Sequence, residues 1–527
     1  MVTDTTEENH HNTLVLIVGA GPTGLNLALS LARRGVRFRL ITEAERPGEH
    51  SRAMVVQART LEFYSQFGFA DEMIEQGVKA GAAHLREVGP NGRARNVVSF
   101  NFNDLGKGLS PYPFALAYPQ DDHERFLIDK LKAAGGTVEW CSKLTGFRED
   151  GDGVRATVSH DGQTEEIQAG YICGCDGAHS CVRETLAVGF PGGTYEQLFY
   201  VADVKIARGF ERDLYISLGE HILTLMFPVR SSGVQRLIGL VPPELSERQD
   251  LSFEEIRSQV EQPLDVKVTQ VNWFSTYRVH HRVAERFRVG RSFLLGDAGH
   301  IHSPVGGQGM NTGIGDAINL GWKLAQVIQG RADSSLLDSY EPERIGFARS
   351  LVDTTDRAFT PIVAEGFRGE FTRKFLAPLF VTVATRFALS RHAIFRFVSQ
   401  TRVHYDESPL SEGKAGEVQG GDRLPWVGTG VDDNFTPLSS LEWQLHVYGE
   451  IEQAFETACR ELRLPVHVFR WSDEANSAGI ERDAVYLVRP DGYVALALSE
   501  QAATNLQAFV DRFHLRFAEN APAVAHN

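Results

Sequence analysis

Cysteine is scarce in this chain of 527 residues, which has only five. The number is odd, and no two cysteines form the CxxC pair of a zinc site. Three cluster near residue 175, where His179 is the one histidine that could complete a ligand set. We therefore expect reduced thiols and no metal at the five positions, which are Cys141, Cys173, Cys175, Cys181 and Cys459.

Positive charge and long apolar runs are also lacking. The formal net charge of -15 argues against nucleic acid or an anionic membrane surface as a partner. No apolar run reaches the roughly 18 residues that span a bilayer. The first residues, MVTDTTEENHHN, have neither the basic nor the apolar region of a signal peptide. We expect a cytoplasmic protein.

The chain has the length and composition of a soluble enzyme with several domains. Hydrophobic residues make up 42% and charged residues 23%, which is ordinary for a globular protein. Domains typically contain roughly 100–200 residues, so about two to four are expected.

The beginning of the chain carries the pattern of a βαβ unit. Residues 14–18 are a continuous apolar run, typical of a strand buried on both faces. A glycine-rich turn follows, and residues 25–35 then have helical spacing that ends at a glycine. The alternating residues 36–41 predict the second strand.

The pattern changes near residue 186 to alternating strands, which predict a separate antiparallel sheet. A buried strand, a glycine loop and a long helix return from residue 292, so the first domain is predicted to be discontinuous. We place this α/β nucleotide domain at 1–80, 116–185 and 276–400, and the inserted sheet domain at 81–115 and 186–275. Further along, a segment rich in Gly, Asp and Pro predicts a linker at 401–435, before a final domain at 436–527.

The hexapeptide GAGPTG lies between the first strand and the first helix, the context that a dinucleotide-binding turn requires. Gly19 permits the sharp turn, Gly21 lets the backbone approach a pyrophosphate, and Gly24 lets helix and strand pack closely. Phosphates would lie at the helix N-terminus, where unpaired N–H groups favour anions. We predict cofactor contacts here that also include Pro22 and Thr23.

Glu43 lies 19 residues after Gly24, at the end of the second predicted strand. A carboxylate in this position can accept hydrogen bonds from ribose hydroxyls. An exposed charge at a strand end is the alternative explanation, but the spacing favours the ribose.

A second strand–GD–glycine loop–helix segment near residue 300 indicates a cofactor longer than NAD. The ribityl chain and isoalloxazine of FAD run away from the adenosine and need their own binding segment. Asp297 can bind hydroxyls of the ribityl or pyrophosphate side. The backbone amides of Met310 and Asn311 can stabilise negative charge on a reduced flavin.

Three motifs in combination resemble a known family. GAGPTG, the segment CDGAHS with the following VR, and GDAGH with the following GQGMNTGIGDAINLGWKL are similar to the fingerprints of the single-component FAD-dependent aromatic hydroxylases, the group of para-hydroxybenzoate hydroxylase and phenol hydroxylase. The resemblance spans roughly residues 13 to 345. It implies a Rossmann-like FAD-binding domain, an inserted antiparallel-sheet substrate domain and a C-terminal thioredoxin-like domain.

The resemblance also implies site residues. Pro304 matches a proline whose carbonyl faces the substrate hydroxyl, and Asp176 belongs to a segment linked to both FAD and the nicotinamide cofactor. The C-terminal domain has no CxxC, so we expect it to pack on the rest of the chain or to form the contact of a homodimer, with no redox role. The other implied FAD contacts are Glu43, Arg52, Gln120, Asp297, Gly307, Gly309, Met310 and Asn311.

The resemblance implies a monooxygenase reaction, in which the chemistry belongs mostly to the cofactor. NAD(P)H reduces FAD, O2 adds at the flavin C4a, and the resulting hydroperoxide transfers OH to an electron-rich ring carbon. No second GxGxxG is present, so the choice between NADPH and NADH stays open. The expected partners are O2 and a small phenolic, polycyclic aromatic or polyketide substrate.

A phenol needs a group that accepts or shares its proton. Candidates in the inserted sheet are Tyr215, His221 and Tyr277, with His302 near the glycine loop, although each also has a structural explanation. The candidate pocket residues, which are equally compatible with plain core, are Leu225, Phe227 and Phe274.

Two other reactions remain open on the sequence alone. The same fold can host a Baeyer–Villiger or epoxidising oxidation of a polyketide-like substrate. A flavin-dependent dehydrogenase without oxygenation is the third alternative.

Overall fold

The computed structural model describes residues 12–49, 53–89, 94–101, 105–207, 213–218, 223–229, 233–248, 250–303, 307–363, 388–428 and 433–517. Three predicted site residues, Arg52, His221 and Pro304, lie outside these ranges.

The strands are β1 (Asn12–Val18), β2 (Phe38–Ile41), β3 (Val55–Val56), β4 (Val78–Lys79), β5 (Ala82–Val88), β6 (Ala94–Asn101), β7 (Leu116–Ala117), β8 (Val138–Glu139), β9 (Ser142–Asp150), β10 (Gly153–His160), β11 (Gln163–Gly174), β12 (Gly192–Ile206), β13 (Leu214–Leu218), β14 (Leu223–Pro228), β15 (Val234–Leu240), β16 (Val268–Val283), β17 (Arg288–Val289), β18 (Ser292–Leu294), β19 (His300–Ile301), β20 (Glu412–Ala415), β21 (Val418–Gln419), β22 (Gln444–Tyr448), β23 (Val466–Phe469), β24 (Val485–Val488) and β25 (Val494–Leu498).

The helices are α1 (Pro22–Ala32), α2 (Ala58–Gln66), α3 (Ala70–Gln76), α4 (Gln120–Ala133), α5 (Cys181–Thr185), α6 (Phe253–Leu264), α7 (Gly309–Ile328), α8 (Tyr340–Val363), α9 (Ala388–Val398), α10 (Gln453–Glu461), α11 (Asp473–Ser477) and α12 (Ala503–Arg512). Among the described residues, none of these helices has an apolar stretch sufficient to cross a bilayer.

The first sheet is built around β1, with the strand order β17-β18-β11-β1-β2-β8. Strand β1 is parallel to both of its neighbours, β2 and β11. Val15, Leu16 and Ile17 are fully buried, as a strand covered on both faces requires. The strand–helix–strand unit predicted from the apolar spacing is therefore present as β1, α1 and β2.

The second sheet has the order β19-β16-β12-β15-β14-β13-β5-β6 and is antiparallel except for the pair of β13 and β5. Helix α6 covers one face and begins with a capping box formed by Ser252 and Glu255. On the other face, the hydroxyl of Tyr195 on β12 donates a hydrogen bond to Asp356 on α8.

The predicted end of the inserted sheet at residue 275 falls inside β16. This strand pairs with β12 along its length, from Val268 opposite Ile206 to Arg282 opposite Gly192. The strand then pairs with β19, which follows directly after the Asp297 loop. The second sheet is thus connected to the Asp297 loop through β16. This long strand continues past residue 275, where the sequence pattern had indicated the end of the inserted domain.

The C-terminal unit contains a sheet with the order β21-β20-β25-β24-β22-β23. Strands β22 and β23 are parallel and joined by α10, whereas β24 is antiparallel to both β22 and β25. The segment predicted as a linker, 401–435, contributes the hairpin β20–β21 to this sheet. Short strands held by distant partners give little local pattern, and the glycines that suggested a loop instead form the hairpin turns.

The C-terminal unit shares an apolar core with the first domain. Trp322 on α7 is fully buried and contacts Trp443 edge to face, with ring centroids 5.4 Å apart. The same cluster contains Leu445, Leu487 and Leu496 from the C-terminal sheet. Helix α7, which begins at the predicted flavin loop, is therefore also the main support of the C-terminal unit.

Candidate active site

The first glycine turn leaves no room for side chains at two of its positions. A Cβ on Gly19, where φ is +104°, would lie 2.3 Å from the carbonyl oxygen of Cys175, and a Cβ on Gly24 would lie 1.9 Å from that of Gly19. A Cβ on Gly21 would meet no atom within 4 Å. The turn therefore presents open space at Gly21, in front of the helix that follows.

Helix α1 begins at this opening with the features of an anion-binding site. It begins at Pro22, has no side-chain cap at Gly21 and has no acidic residue in its first turn. Its first N–H groups and the positive end of its dipole are consequently available to a pyrophosphate.

The first and third glycine segments meet at Thr23. A Cβ on Gly296 would lie 2.6 Å from Thr23 Oγ1, and a Cβ on Gly313 would lie 2.4 Å from the same atom. Two turns that are distant along the chain therefore form one continuous surface, as a long dinucleotide cofactor requires.

The Asp297 loop is fixed from behind by Asp316. One carboxylate oxygen of Asp316 accepts the backbone N–H of Gly296 at 2.9 Å and contacts His300 Nε2 at 2.7 Å. The other accepts Arg344 Nε at 2.6 Å. Burial alone would raise the pKa of Asp316, but Arg344 and His300 hold that pKa below its ordinary value. A permanent negative charge thus anchors the loop.

Asp297 itself is exposed, and among the described residues no group donates a hydrogen bond to its carboxylate. Desolvation by the surrounding protein raises its pKa. A carboxylate held in this way is available to accept hydrogen bonds from cofactor hydroxyls.

The flavin loop begins α7 at Gly309, after Gln308, with no side-chain cap and no acid in the first turn. The side chain of Asn311 holds this loop to the segment before α2. Its Oδ1 accepts Gln57 N at 2.9 Å and Thr60 Oγ1 at 2.8 Å. Its Nδ2 donates to the carbonyl of Gly307 at 2.9 Å and to that of Val55 at 2.8 Å. With all four hydrogen bonds made, the backbone N–H groups of the helix start are what remains for a ligand.

Gly307 and Met310 flank this helix start. Gly307 has φ +64°, and a Cβ there would lie 3.1 Å from Val55 Cβ. Met310 is partly buried and packs against the main apolar core. The loop therefore follows the backbone of residues 53–57 closely.

The middle motif supports the Asp297 loop from another side. Asp176 accepts Ser180 Oγ at 2.6 Å and Val182 N at 3.2 Å, so its carboxylate is engaged within its own turn. Arg183 donates to the carbonyl of Ala298 at 3.0 Å. Burial raises the pKa of Asp176.

Glu43 begins the segment that leads to Arg52. Gln120, on α4, lies near the other end of that segment. Glu43 is exposed and pairs with Lys143 at 2.9 Å, a contact that is worth little in water. Gln120 Nε2 donates to Glu124 at 2.8 Å, and Glu124 also accepts Gly48 N at 3.3 Å. Glu43 is therefore the more accessible of the two, and Gln120 is half-buried.

The predicted substrate residues divide between the two faces of the second sheet. Tyr215 and Phe274 lie on the face covered by α6, where Phe274 contacts Phe253 with centroids 6.0 Å apart. Leu225 and Phe227 lie on the opposite face. The structure therefore separates Tyr215 and Phe274 from the flavin side, because α6 covers the face that their alternation selects.

The face with Leu225 and Phe227 is turned toward the flavin loop. Phe227 packs in a cluster with Met54 and Val55, and Val55 contacts Gly307. Tyr277, another predicted candidate, packs beside Leu225 on this face. The space above this face is the one that can bring a substrate ring to the cofactor.

His302 lies at the end of the flavin loop, and one of its ring nitrogens is buried without a partner among the described residues. Its Nδ1 is 2.8 Å from the carbonyl oxygen of Ser303 and must carry the proton, because that oxygen can only accept. Its Nε2 is left as an unpaired acceptor, 3.8 Å from where a Cβ on Gly309 would lie. Burial lowers the pKa of His302 to about 4.

A buried polar chain behind α1 was not found from the sequence. Asn26 Nδ2 donates to the carbonyl of Pro22 at 2.8 Å and to the hydroxyl of Tyr64 at 3.1 Å. That hydroxyl lies 2.7 Å from His123 Nε2, and burial lowers the pKa of His123 to about 3. The one available signal was an asparagine within the otherwise apolar helix LNLALSLA.

The residues present fit FAD. An open pyrophosphate position at Gly21, an unpartnered carboxylate at Asp297 and the uncapped start of α7 lie along one surface that Thr23 joins. No group of three or more His, Cys, Asp or Glu residues in the described ranges could hold a metal ion.

Comparison with known proteins identifies the class. A family model described as an FAD binding domain matches residues 12–355, and the chain belongs to this family. It is an FAD-dependent monooxygenase of the aromatic hydroxylase class with the mixed α/β fold of those enzymes, which confirms the predicted family, cofactor and type of enzyme. NAD(P)H is the reductant typical of the family.

Individual relatives are monooxygenases. The chain is 32% identical to 6-methylpretetramide 4-monooxygenase of Streptomyces rimosus, over 96% of this chain and 95% of the relative. It is 33% identical to pentachlorophenol 4-monooxygenase of Sphingobium chlorophenolicum, over 67% of this chain and 65% of the relative. A ternary complex of aklavinone-11 hydroxylase with FAD and aklavinone superposes with a TM-score of 0.75 at 26% identity, covering 96% of this chain and 99% of the other.

Proposed function

We propose that this enzyme hydroxylates a ring of a polycyclic, phenolic substrate of the polyketide type. The observation that carries the proposal is the extent of the matches. Relatives named for a pretetramide and for anhydrotetracycline align in sequence over 96% and 93% of the chain, whereas the relative named for pentachlorophenol aligns over 67%.

The apolar face of the second sheet supports a large substrate. Leu225, Phe227 and Tyr277, together with Ile216 and Leu240, form a broad surface on the side of the flavin loop. Such a surface binds a fused ring system by burial of apolar area and excludes water from the reacting atoms. We keep Tyr215 and Phe274 out of the proposed pocket because α6 covers them.

We assign the cofactor contacts by chemistry. Glu43 would bind the adenosine ribose, the N-terminus of α1 the pyrophosphate, and Asp297 hydroxyls of the ribityl or pyrophosphate side. The first N–H groups of α7, at Met310 and Asn311, would face the negatively charged edge of the reduced ring. Bound FAD, once reduced, supplies the activation of O2 for transfer of one oxygen atom.

We assign the acceptor for the substrate hydroxyl to His302. Its Nε2 lone pair is unpaired beside the flavin loop, and its low pKa keeps the ring neutral near pH 7. A hydrogen bond from a phenol to this nitrogen raises the electron density of the ring that is hydroxylated. Pro304 follows two residues later and stays a prediction, as does His221.

We infer that the C-terminal unit is thioredoxin-like. The order β23-β22-β24-β25, with a helix between the two parallel strands and another after the hairpin, supports this comparison. No CxxC is present, so its role is to pack on α7.

Turnover under 18O2 tests the function. The FAD-loaded enzyme is incubated with a panel of polycyclic phenols and simple phenols, and NADPH and NADH oxidation are followed with and without substrate. We expect substrate-stimulated oxidation with a polycyclic phenol and a product that gains one 18O on a ring carbon. Loss of hydrogen without 18O would contradict oxygenation, and 18O within an enlarged ring or an epoxide would indicate the other oxygenase reactions. Stimulation by simple phenols alone would contradict the proposed substrate class.

A further inference from the structure

A narrow cavity lies at the junction of α2, α7 and α8 with the C-terminal unit. The space in it that a water-sized sphere can reach is about 10 Å³, which is room for about one small ligand. Two arginines, Arg59 and Arg344, and two tyrosines, Tyr405 and Tyr493, line it. Of these four, only Arg344 was described above, as the partner of Asp316 behind the Asp297 loop.

Arg59 lines this cavity, and its buried Nε–H has no acceptor among the described residues. Its guanidinium is 3% exposed and lies between the rings of Phe63 and Tyr493, at 4.2 and 4.8 Å from their centroids. Its Nη atoms donate to Glu62 and to the carbonyl of Asp491, but Nε has no partner. Leaving a buried charged donor unpaired costs free energy, so binding of an acceptor at this position would be favourable.

The two tyrosines add hydroxyl donors. The oxygen of Tyr405 accepts Arg344 Nη1 at 3.1 Å and Asn319 Nδ2 at 3.5 Å, so both of its lone pairs are engaged. Burial raises the pKa of Tyr405, which therefore keeps its proton as a donor. Within the described ranges, neither Tyr405 nor Tyr493 has an acceptor for its hydroxyl hydrogen.

The surrounding ion network has more positive than negative charge. Lys323 belongs to it, and burial lowers the pKa of Lys323 only to about 8, so it stays charged near pH 7. Each member is at most 7% exposed, where an unbalanced charge is costly. Its described members are five cations, Arg59, Lys323, Arg344, Arg423 and Arg489, and four carboxylates, Glu62, Asp316, Glu343 and Asp491.

We propose that this cavity binds a small monovalent anion of the size of chloride, held by Arg59 Nε and the hydroxyls of Tyr405 and Tyr493. A water molecule could accept from the same donors, but it would not balance the charge, and its own hydrogens would need acceptors. The anion would join the C-terminal unit to the helix that carries the flavin loop. This site is independent of the substrate proposed above.

Anion titration of the FAD-loaded full chain tests the proposal. Thermal unfolding is measured in chloride and bromide, with gluconate at matched ionic strength as the control for screening. We expect a midpoint that rises and saturates with the two halides only, because a ligand that binds the folded state stabilises it by mass action. Equal curves in all three salts would overturn the proposal.

Two mild variants locate the effect. Tyr493→Phe and Tyr405→Phe each remove one hydroxyl, and we expect each to raise the half-saturating halide concentration about three- to tenfold. Tyr486→Phe is the matched control, because its hydroxyl bonds the carbonyl of Ala415 within the same unit and lies outside the cavity. Wild-type halide dependence in both cavity variants would refute the site.

Crystals soaked in bromide give a direct readout that does not depend on the variants. We expect an anomalous peak within hydrogen-bond distance of Arg59 Nε. Density for water alone in the cavity would overturn the proposal.

Discussion

Arg344 and Asp316 form an ion pair behind the cofactor loop, with 2.6 Å between Nε and Oδ1 and side chains that are 3% and 0% exposed. The same carboxylate holds Gly296 N, so the pair connects α8 and α7 to the turn that presents Asp297. Tyr405 of the C-terminal unit contacts Arg344, and the flavin loop is thereby coupled to the far side of the molecule.

Asp316→Asn should destabilise the protein strongly. It leaves the guanidinium of Arg344 buried without a counter-charge, which typically costs about 3–5 kcal/mol. Urea unfolding of the FAD-free protein measures the change. Glu456→Gln is the matched control, because Glu456 and Arg460 are 46% and 74% exposed and their pair should contribute little. Equal effects of the two substitutions would contradict this account.

Gly21→Ala and Gly24→Ala should have different defects, one in FAD binding and the other in stability. A Cβ on Gly21 meets no protein atom, so this variant should fold normally and lose FAD affinity through the methyl group at the pyrophosphate position. A Cβ on Gly24 lies 1.9 Å from a backbone oxygen, so this variant should be destabilised before any cofactor is added. Circular dichroism melts and FAD titration separate the two, and a Gly21→Ala variant with normal FAD affinity would contradict the assignment.

Asp297→Asn should weaken FAD binding without loss of stability. No group within the described residues donates to the carboxylate, and desolvation by the surrounding protein raises its pKa. A folded pKa above the unfolded value means that this charge costs stability at neutral pH, so the amide should leave the FAD-free protein as stable or slightly more stable. Loss of one hydrogen bond from a charged acceptor should lower the affinity roughly 10- to 100-fold. Unchanged FAD affinity would refute the role.

We expect acid to weaken the attachment of the C-terminal unit by protonating Glu343. Burial opposes the charge of Glu343, but Arg489 and Lys323 bring its pKa down from 4.5 to about 2. Because the folded pKa is depressed, the stabilisation is present above pH 4.5 and is lost as the pH falls toward 2. Urea unfolding at stepped pH should show this loss, and Glu343→Gln should be less stable at pH 7 and less dependent on pH below 4.5. Parallel pH profiles of the two proteins would contradict it.

The glycine turns could be predicted because each is a local requirement. The close contact of Gly24 is with Gly19, which belongs to the same hexapeptide, and a matching family pattern identified FAD. The faces of the second sheet could not be predicted in this way. Alternation assigns Tyr215 and Leu225 to opposite sides but does not say which side α6 covers, because that helix lies about forty residues further along the chain.

The hairpin β20–β21 and the ion network around Arg489 were not predicted from the sequence, for a related reason. Strands of four and two residues carry no usable periodicity, and the pairing of β20 with β25 depends on a partner more than 70 residues away. Buried ion pairs such as Arg489 with Glu343 join residues 146 positions apart, and the sequence shows each of them only as an ordinary charge.

Substitution of His302 tests the proposed acceptor for the substrate hydroxyl. His302→Phe removes the Nε2 lone pair while keeping a planar ring beside the flavin loop, so FAD content and NAD(P)H oxidation should persist. Product formed per NAD(P)H oxidised should fall, because the ring to be hydroxylated loses electron density; loss of one acid–base partner typically costs about 10²–10⁴-fold in the chemical step. His302→Gln, which offers an amide oxygen as acceptor, should recover part of the coupling. The pKa of about 4 means that His302 should add no acid limb to the rate profile above pH 6. A His302→Phe enzyme with wild-type coupling would contradict the assignment and leave Tyr277 as the next candidate on the same face.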